Sequence, residues 1–171
     1  MLFRLRNDFS GSSSEVERHS RCIHSEAAVM KHEISKGDHE FRTAFEAGAY
    51  APADFNHRAH VRLAYVYLAT NDVERATTLM RHAIVNFLRH HGIAPTKYHE
   101  TLTQAWILAV FHFMHRTTQA ASADEFIERT PILLDSRIMM THYSAERLFS
   151  QHACHGFVQP DLDPIPRHHA A

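Results

Sequence analysis

The run Asn56-His57-Arg58-Ala59-His60-Val61-Arg62-Leu63-Ala64-Tyr65-Val66-Tyr67-Leu68, with Ala69-Thr70-Asn71-Asp72 and then Val73 to His90 behind it, sets the fold class of this chain. His57, Val61, Ala64 and Leu68 fall on one stripe, with His60 and Tyr67 beside it, at the three-to-four-residue spacing of an amphipathic helix. Val73 to His90 repeats the pattern, and Asn71-Asp72 leaves room only for a tight connection, so the two segments read as an antiparallel helical hairpin. Leu63, Ala64, Tyr67, Ala76, Met80 and Ala83 lie where a tetratricopeptide unit places its large and small packing residues. No second copy follows at the required period, which favours a single hairpin over a stacked array.

The same signals extend outward from the hairpin. Phe41 and Phe45 mark a short helix over about 38–47, ended by Gly48. Pro95-Thr96 opens a third strong helix in which Leu102, Trp106, Ala109, Val110 and Phe113 recur at helical spacing. Thr130-Pro131 predicts a further helix to about Thr141, and Ser144 caps one more. No stretch shows the alternation of a strand. The expected fold is all-α, a compact helical bundle over 37–158. A loosely ordered leader, 1–36, precedes it, with a weak helix signal over 15–35. A proline-rich extended tail, 159–171, follows.

Composition narrows the functional classes. The chain has 171 residues, 44% hydrophobic and 22% charged, enough for one real core. The formal net charge of -1 provides no fixed basic surface for nucleic acid. The 17 histidines are unusual: protonating all of them would move the formal charge from -1 to +16, so the protein's field depends on pH. Cys22 and Cys154 form no C-x-x-C pair. No secretory signal and no apolar run of membrane-spanning length occur, so a cytoplasmic location and no membrane partner are expected.

Two histidine motifs point to a site. His57 and His60 sit about 60° apart on the helix surface, so two imidazoles can face one point. His99-Glu100 opens the third helix where its apolar stripe begins. Polar groups turned toward a core need a partner, either another side chain, a metal or a ligand. His112 and His115 fall on the side opposite His99 and read as solvent-facing. His90-His91 reads as a helix C-terminal cap, His168-His169 as a loose end, and His142 lies at an interhelical joint.

Four motifs together carry a resemblance. They are Phe-x-His-x-x-His-Val-x-Leu-Ala at 55–64, Tyr-His-Glu-Thr-Leu-Thr at 98–103, Tyr-Ser-x-Glu-x-Leu at 143–148 and Pro-Asp-Leu-x-Pro at 160–164. The combination resembles a family of small, largely uncharacterised bacterial helical proteins, over roughly Phe41 to Pro166. The resemblance implies the helical fold and no particular activity, and in that family the position of His142 is often tyrosine.

The leading expectation is a small metal-dependent enzyme or metal-binding protein. His57, His60 and His99 would be the ligands, with Glu100 as fourth ligand or general base. Three neutral nitrogens and an open position suit zinc, copper or iron. The alternatives are a helical interaction module with structural histidines, or a metal-free pocket for a small acid read by the same histidines with Arg58 or Arg62.

Overall fold

Short polar residues set in front of apolar runs decide where the helices begin. The computed structural model describes residues 32–168. Its α-helices are α1 (Lys36–Glu46), α2 (His57–Leu68), α3 (Val73–His90), α4 (Glu100–Arg116), α5 (Ala123–Arg129), α6 (Ala145–Leu148) and α7 (Gln151–His155). Each is capped by a side chain that accepts a hydrogen bond from a first-turn N–H: Ser35, Asn56, Asp72, His99, Ser122, Ser144 and Ser150 in turn. Such a cap satisfies a donor that has no partner inside the helix and is worth about 1 kcal/mol. No strand occurs among the described residues.

At the end of α1 the Gly48 N–H donates to the Phe45 carbonyl and the Ala49 N–H to the Ala44 carbonyl. Gly48 has φ 71°, and a Cβ there would lie 2.5 Å from the His90 ring. Only glycine suits this left-handed turn, which closes the helix in a Schellman arrangement.

Helix α2 is the centre of the bundle and packs against α1, α3, α4 and α5. The one-faced stripe read from its sequence understates its burial, because Leu63, Ala64, Tyr65, Val66, Tyr67 and Leu68 are all buried. A helix apolar on nearly every side is one surrounded by others. Two buried tyrosines need partners for their hydroxyls: Tyr65 donates to the Glu33 carbonyl at 2.7 Å and Tyr67 to Glu46 Oε1 at 2.9 Å. Helices α2 and α3 pack on each other and on α4, with Ala64 and Ala76 fully buried at the centre. Phe45 and Phe87 stack at 4.6 Å and join α1 to α3.

A buried carboxylate ties three helices together. Asp38 is fully buried and accepts from the Ser35 N–H and hydroxyl, from the Ala123 N–H at the start of α5, and from Arg62 of α2. Burial raises its pKa, yet the Ala123, Ser35 and Arg62 hydrogen bonds outweigh that and hold the carboxyl below its usual range.

Several expected boundaries are corrected. Residues 32–35 belong to the fold rather than to a loose leader. His32 is buried, its Nε2 lying 2.9 Å from the Met114 carbonyl while its Nδ1 accepts from the Ala120 N–H. The possible helix over 15–35 lies mostly outside the described residues, and 32–35 are not helical. The helix expected from Thr130 to Thr141 is two 3₁₀ segments, Pro131–Leu134 and Ser136–Thr141. Thr130 gives its hydroxyl to the Phe126 carbonyl instead of capping forward. Asp135, at ψ 98°, breaks the run and caps Arg137. The sequence reading places no helix at α5, although Ser122 caps it by accepting from the Glu125 N–H and Glu125 reaches back to the Ala121 N–H just before the cap. The proline-rich tail is extended but docked: Ile165 is buried, the Leu162 N–H donates to the His142 carbonyl, and the Ser144 hydroxyl donates to Asp161.

Candidate functional site

The entry to α2 is built around two rings. Asn56 caps the helix by accepting from the Ala59 N–H at 3.1 Å, which makes His57 the first helical residue and His60 the fourth. Phe55 precedes the cap and stacks on the His60 ring at a centroid distance of 3.8 Å. This is a hydrophobic staple with histidine in the place of the usual apolar residue. His57 packs against Trp106 of α4 at 4.5 Å.

The entry to α4 differs from its expected form. His99 is the cap itself rather than the first helical residue. Its Nδ1 accepts from the Leu102 N–H at 3.2 Å and its Nε2 donates to the Leu148 carbonyl at 3.0 Å. The Thr103 hydroxyl returns to the His99 carbonyl at 3.0 Å.

These two helix openings share a cavity of about 500 Å³. It is lined by Met80 and Ile84 of α3, Leu102 and Trp106 of α4, and Met139 and Leu148 from the later segments. His57, His60 and His99 all contribute to the lining. Two of them also tie distant segments of the chain to the helix openings. His57 Nε2 donates to the Leu133 carbonyl at 2.9 Å, as His99 does to Leu148, and both carbonyls lie at the ends of short helical segments, where they lack internal partners. His57 and His99 therefore hold the segments ending at Leu133 and Leu148 against the helix openings, Leu148 being itself a lining residue.

The tautomers follow from these bonds, since a carbonyl only accepts. His99 has its proton on Nε2, and its one lone pair, on Nδ1, is taken by the Leu102 N–H. His57 has its proton on Nε2, and in the neutral ring Nδ1 keeps a lone pair. In His60 it is Nδ1 that donates, to the Asn56 carbonyl at 3.0 Å, which leaves the lone pair on Nε2. Burial pulls the pKa of His60 below its ordinary value, against the Asn56 hydrogen bond and helped by the neighbouring His57. Burial lowers that of His99 as well, opposed by the Leu148 bond.

Sharing a cavity does not make these residues a ligand set. Among the described residues no group of three or more histidine, cysteine, aspartate or glutamate side chains is placed to hold a metal ion. Coordination by His99 would require breaking the cap of α4, because a ligating nitrogen must offer a free lone pair. Glu100, expected as fourth ligand or base, is not among the lining residues. Its buried carboxylate pairs with Arg81 of α3 and accepts from the Tyr98 hydroxyl at 2.7 Å and from Gln104. Burial raises the Glu100 pKa, but the hydrogen bonds from Arg81, Gln104 and Tyr98 overcome this and hold it below the usual carboxylate range. The same burial and the Glu100 bond push the Tyr98 hydroxyl up to about 12. A carboxylate stabilised in its charged form on four sides is a poor base.

The cations are also arranged differently from expectation. Arg58 pairs with Asp124 at 2.8 Å and Arg62 with Asp38 at 2.9 Å, and neither lines the cavity. The lining includes Lys97 and Arg137 instead, and Arg137 is held by Asp135 at 2.9 Å. No sequence signal identified Met139, Met140 or Leu148 as cavity residues, because their segments reach it only through the fold. His112 and His115 do not line the cavity. The expected loose end at His168 is instead packed on them, its ring stacked on His115 at 4.5 Å and its Nε2 lying 2.8 Å from His112 Nδ1. His142 donates from Nδ1 to the Asp163 carbonyl and holds the tail.

Comparison of the chain with protein-family models, with curated proteins and with solved structures finds no match. No helix of the described residues is long and apolar enough to cross a membrane.

Proposed function

We propose that the protein binds a small, mainly apolar molecule in the cavity between α2, α3, α4 and the segment 136–149. The cavity itself carries this reading. Its volume of about 500 Å³ lies within the range of small-molecule sites, roughly 300–1,000 Å³, and its walls combine apolar side chains with a few convergent polar groups. At its mouth Met140 is 38% and Phe149 63% exposed, apolar surface that a ligand would cover. The histidines then serve twice, holding neighbouring segments through the Leu133 and Leu148 carbonyls and presenting the ring nitrogens left over.

The test is calorimetric titration of the intact chain with a neutral apolar probe, para-butylanisole, compared with Leu102→Trp, which puts a larger side chain at a lining position. Saturable one-to-one binding that weakens by about tenfold or more in the variant supports the reading. Equal binding by both proteins, or none by either, overturns it.

A metal-binding reading, with zinc, copper or iron as candidates, stands second and rests on one observation. His57 Nδ1 and His60 Nε2 each keep a lone pair with no hydrogen-bond donor among the described residues. Elemental analysis of untagged protein after dialysis, repeated on the double variant His57→Ala, His60→Ala, decides it. A stoichiometric metal lost with the pair supports coordination there, and equal content in both proteins assigns any metal to the other histidines.

A further inference from the structure

The polar groups of the cavity say what kind of ligand it takes. Three imidazoles line it, and the backbone fixes the tautomer of each. His99 is saturated, since it donates to the Leu148 carbonyl and accepts from the Leu102 N–H. His57 spends its proton on the Leu133 carbonyl and His60 spends its proton on the Asn56 carbonyl. What remains for a ligand is the lone pair on His60 Nε2 and, in the neutral ring, that on His57 Nδ1, one helical turn apart and without a donor among the described residues. Among the other polar lining groups, the Trp106 indole N–H, the Asn56 amide and the Ser136 hydroxyl keep donors with no partner among the described residues, which a ligand hydroxyl oxygen can accept from. The Thr103 hydroxyl is turned back to the His99 carbonyl and the Tyr98 hydroxyl is given to Glu100.

The charge balance points the same way. Of the two fixed cations in the lining, Arg137 is bound through Nε and Nη2 to both carboxylate oxygens of Asp135, at 2.9 and 3.0 Å. Lys97 stands exposed at the rim, where its field is screened by water. A carboxylate inside the cavity would lose hydration and meet only cations that are already paired or screened by water. Burial, which lowers the His60 pKa, also disfavours the imidazolium that would pair with the charge of an acid.

We propose that the ligand is an uncharged molecule with an apolar body and a hydroxyl donor, a phenol or an alcohol, whose O–H is accepted by His60 Nε2 or His57 Nδ1. This rests on the cavity being a ligand site, and it puts a neutral hydroxyl compound in place of the small acid that the sequence offered as an alternative. A donor aimed at a preformed lone pair adds selectivity that an apolar wall lacks, since such a wall hardly separates molecules of one shape.

The experiment compares three ligands of one skeleton, para-butylphenol, para-butylanisole and para-butylbenzoate, by calorimetry on the intact chain at about pH 8. The anisole retains the shape and loses the donor, and the benzoate brings charge. The expected result is a phenol affinity about tenfold or more above both others, with the phenol–anisole gap collapsing in His60→Phe or His57→Phe. Long-range proton–nitrogen NMR of the imidazoles should move the acceptor nitrogen of one of these two rings when the phenol is added. Equal binding of phenol and anisole overturns the donor reading and leaves the cavity reading intact. A benzoate that binds most tightly also overturns it, in favour of an acid. Absence of binding by all three removes the cavity reading beneath it.

Discussion

Replacing Glu100 with glutamine separates a structural carboxylate from a catalytic one. The side chain is 8% exposed and receives four hydrogen bonds, two from Arg81 and one each from Tyr98 and Gln104. Glutamine fits the same space with one acceptor oxygen instead of two, so its amide nitrogen faces donors it cannot satisfy. Hydrogen bonds to a charged group contribute about 1.5–3 kcal/mol each when buried. The Arg81 side chain is 38% exposed, so its share is screened by solvent and falls toward the surface-pair level of about 1 kcal/mol. The expected net loss is about 2 kcal/mol, measured as a lower urea midpoint at unchanged slope, or as a melting temperature about 4–8 °C lower. Binding of an apolar probe in the cavity should stay within about twofold, because Glu100 does not line it. Unchanged stability with abolished ligand or metal binding would refute this reasoning and return Glu100 to the site.

Asp38→Ala should cost about 3–5 kcal/mol, because it strands the buried Ala123 N–H and the Arg62 guanidinium while removing half of the α1 capping box; an urea midpoint close to that of the parent protein would contradict the three-helix tie. Ala76→Leu should overpack the fully buried contact at the centre of the bundle by about 1–3 kcal/mol, and an equal denaturation midpoint would show spare room beside α3. Burial lowers the folded-state pKa of His60 and His99 beneath the ordinary 6.5, so the unfolded chain binds more protons as acidity rises. Stability is therefore full above pH 6.5 and declines as pH falls through the folded-state values. Asp38 and Glu100, also lowered, add a further loss only below their ordinary 3.8 and 4.5. Denaturation midpoints that rise on going from about pH 7.5 to 5.5 would reverse that sign. Replacing both His112 and His115 with glutamine should leave the affinity of a cavity probe within about twofold, since neither lines the cavity; a larger loss would show that the docked tail governs the site.

Helix α3 was legible in the sequence to the residue, Val73 to His90, because Asp72 caps it and Gly92, at φ 63°, follows its last turn. These signals act within a few residues of one another, so no distant contact can move them. The all-helical class followed from the same local periodicity. That two histidine-bearing helix starts lie on one cavity was an inference from pattern, and the coordinates place all three rings on it. What those rings do depended on groups that are distant in the chain. The carbonyls that fix the tautomers of His57 and His99 belong to Leu133 and Leu148, 76 and 49 residues away. Glu100 follows His99 directly, yet the helix turns its carboxylate to Arg81 on α3 and away from the cavity. Proline 131 led to a helix that Asp135 broke, because that carboxylate found its partners in Arg137. Hydrogen bonding is short-ranged and exclusive, so the chemistry of a polar residue is settled by whichever donor or acceptor reaches it first. The sequence alone determined the all-helical class, the long helices α2, α3 and α4 and the histidines at two of their starts; the tertiary structure alone decided which of the histidines' lone pairs and protons remained unspent, because those partners meet only when the chain is folded.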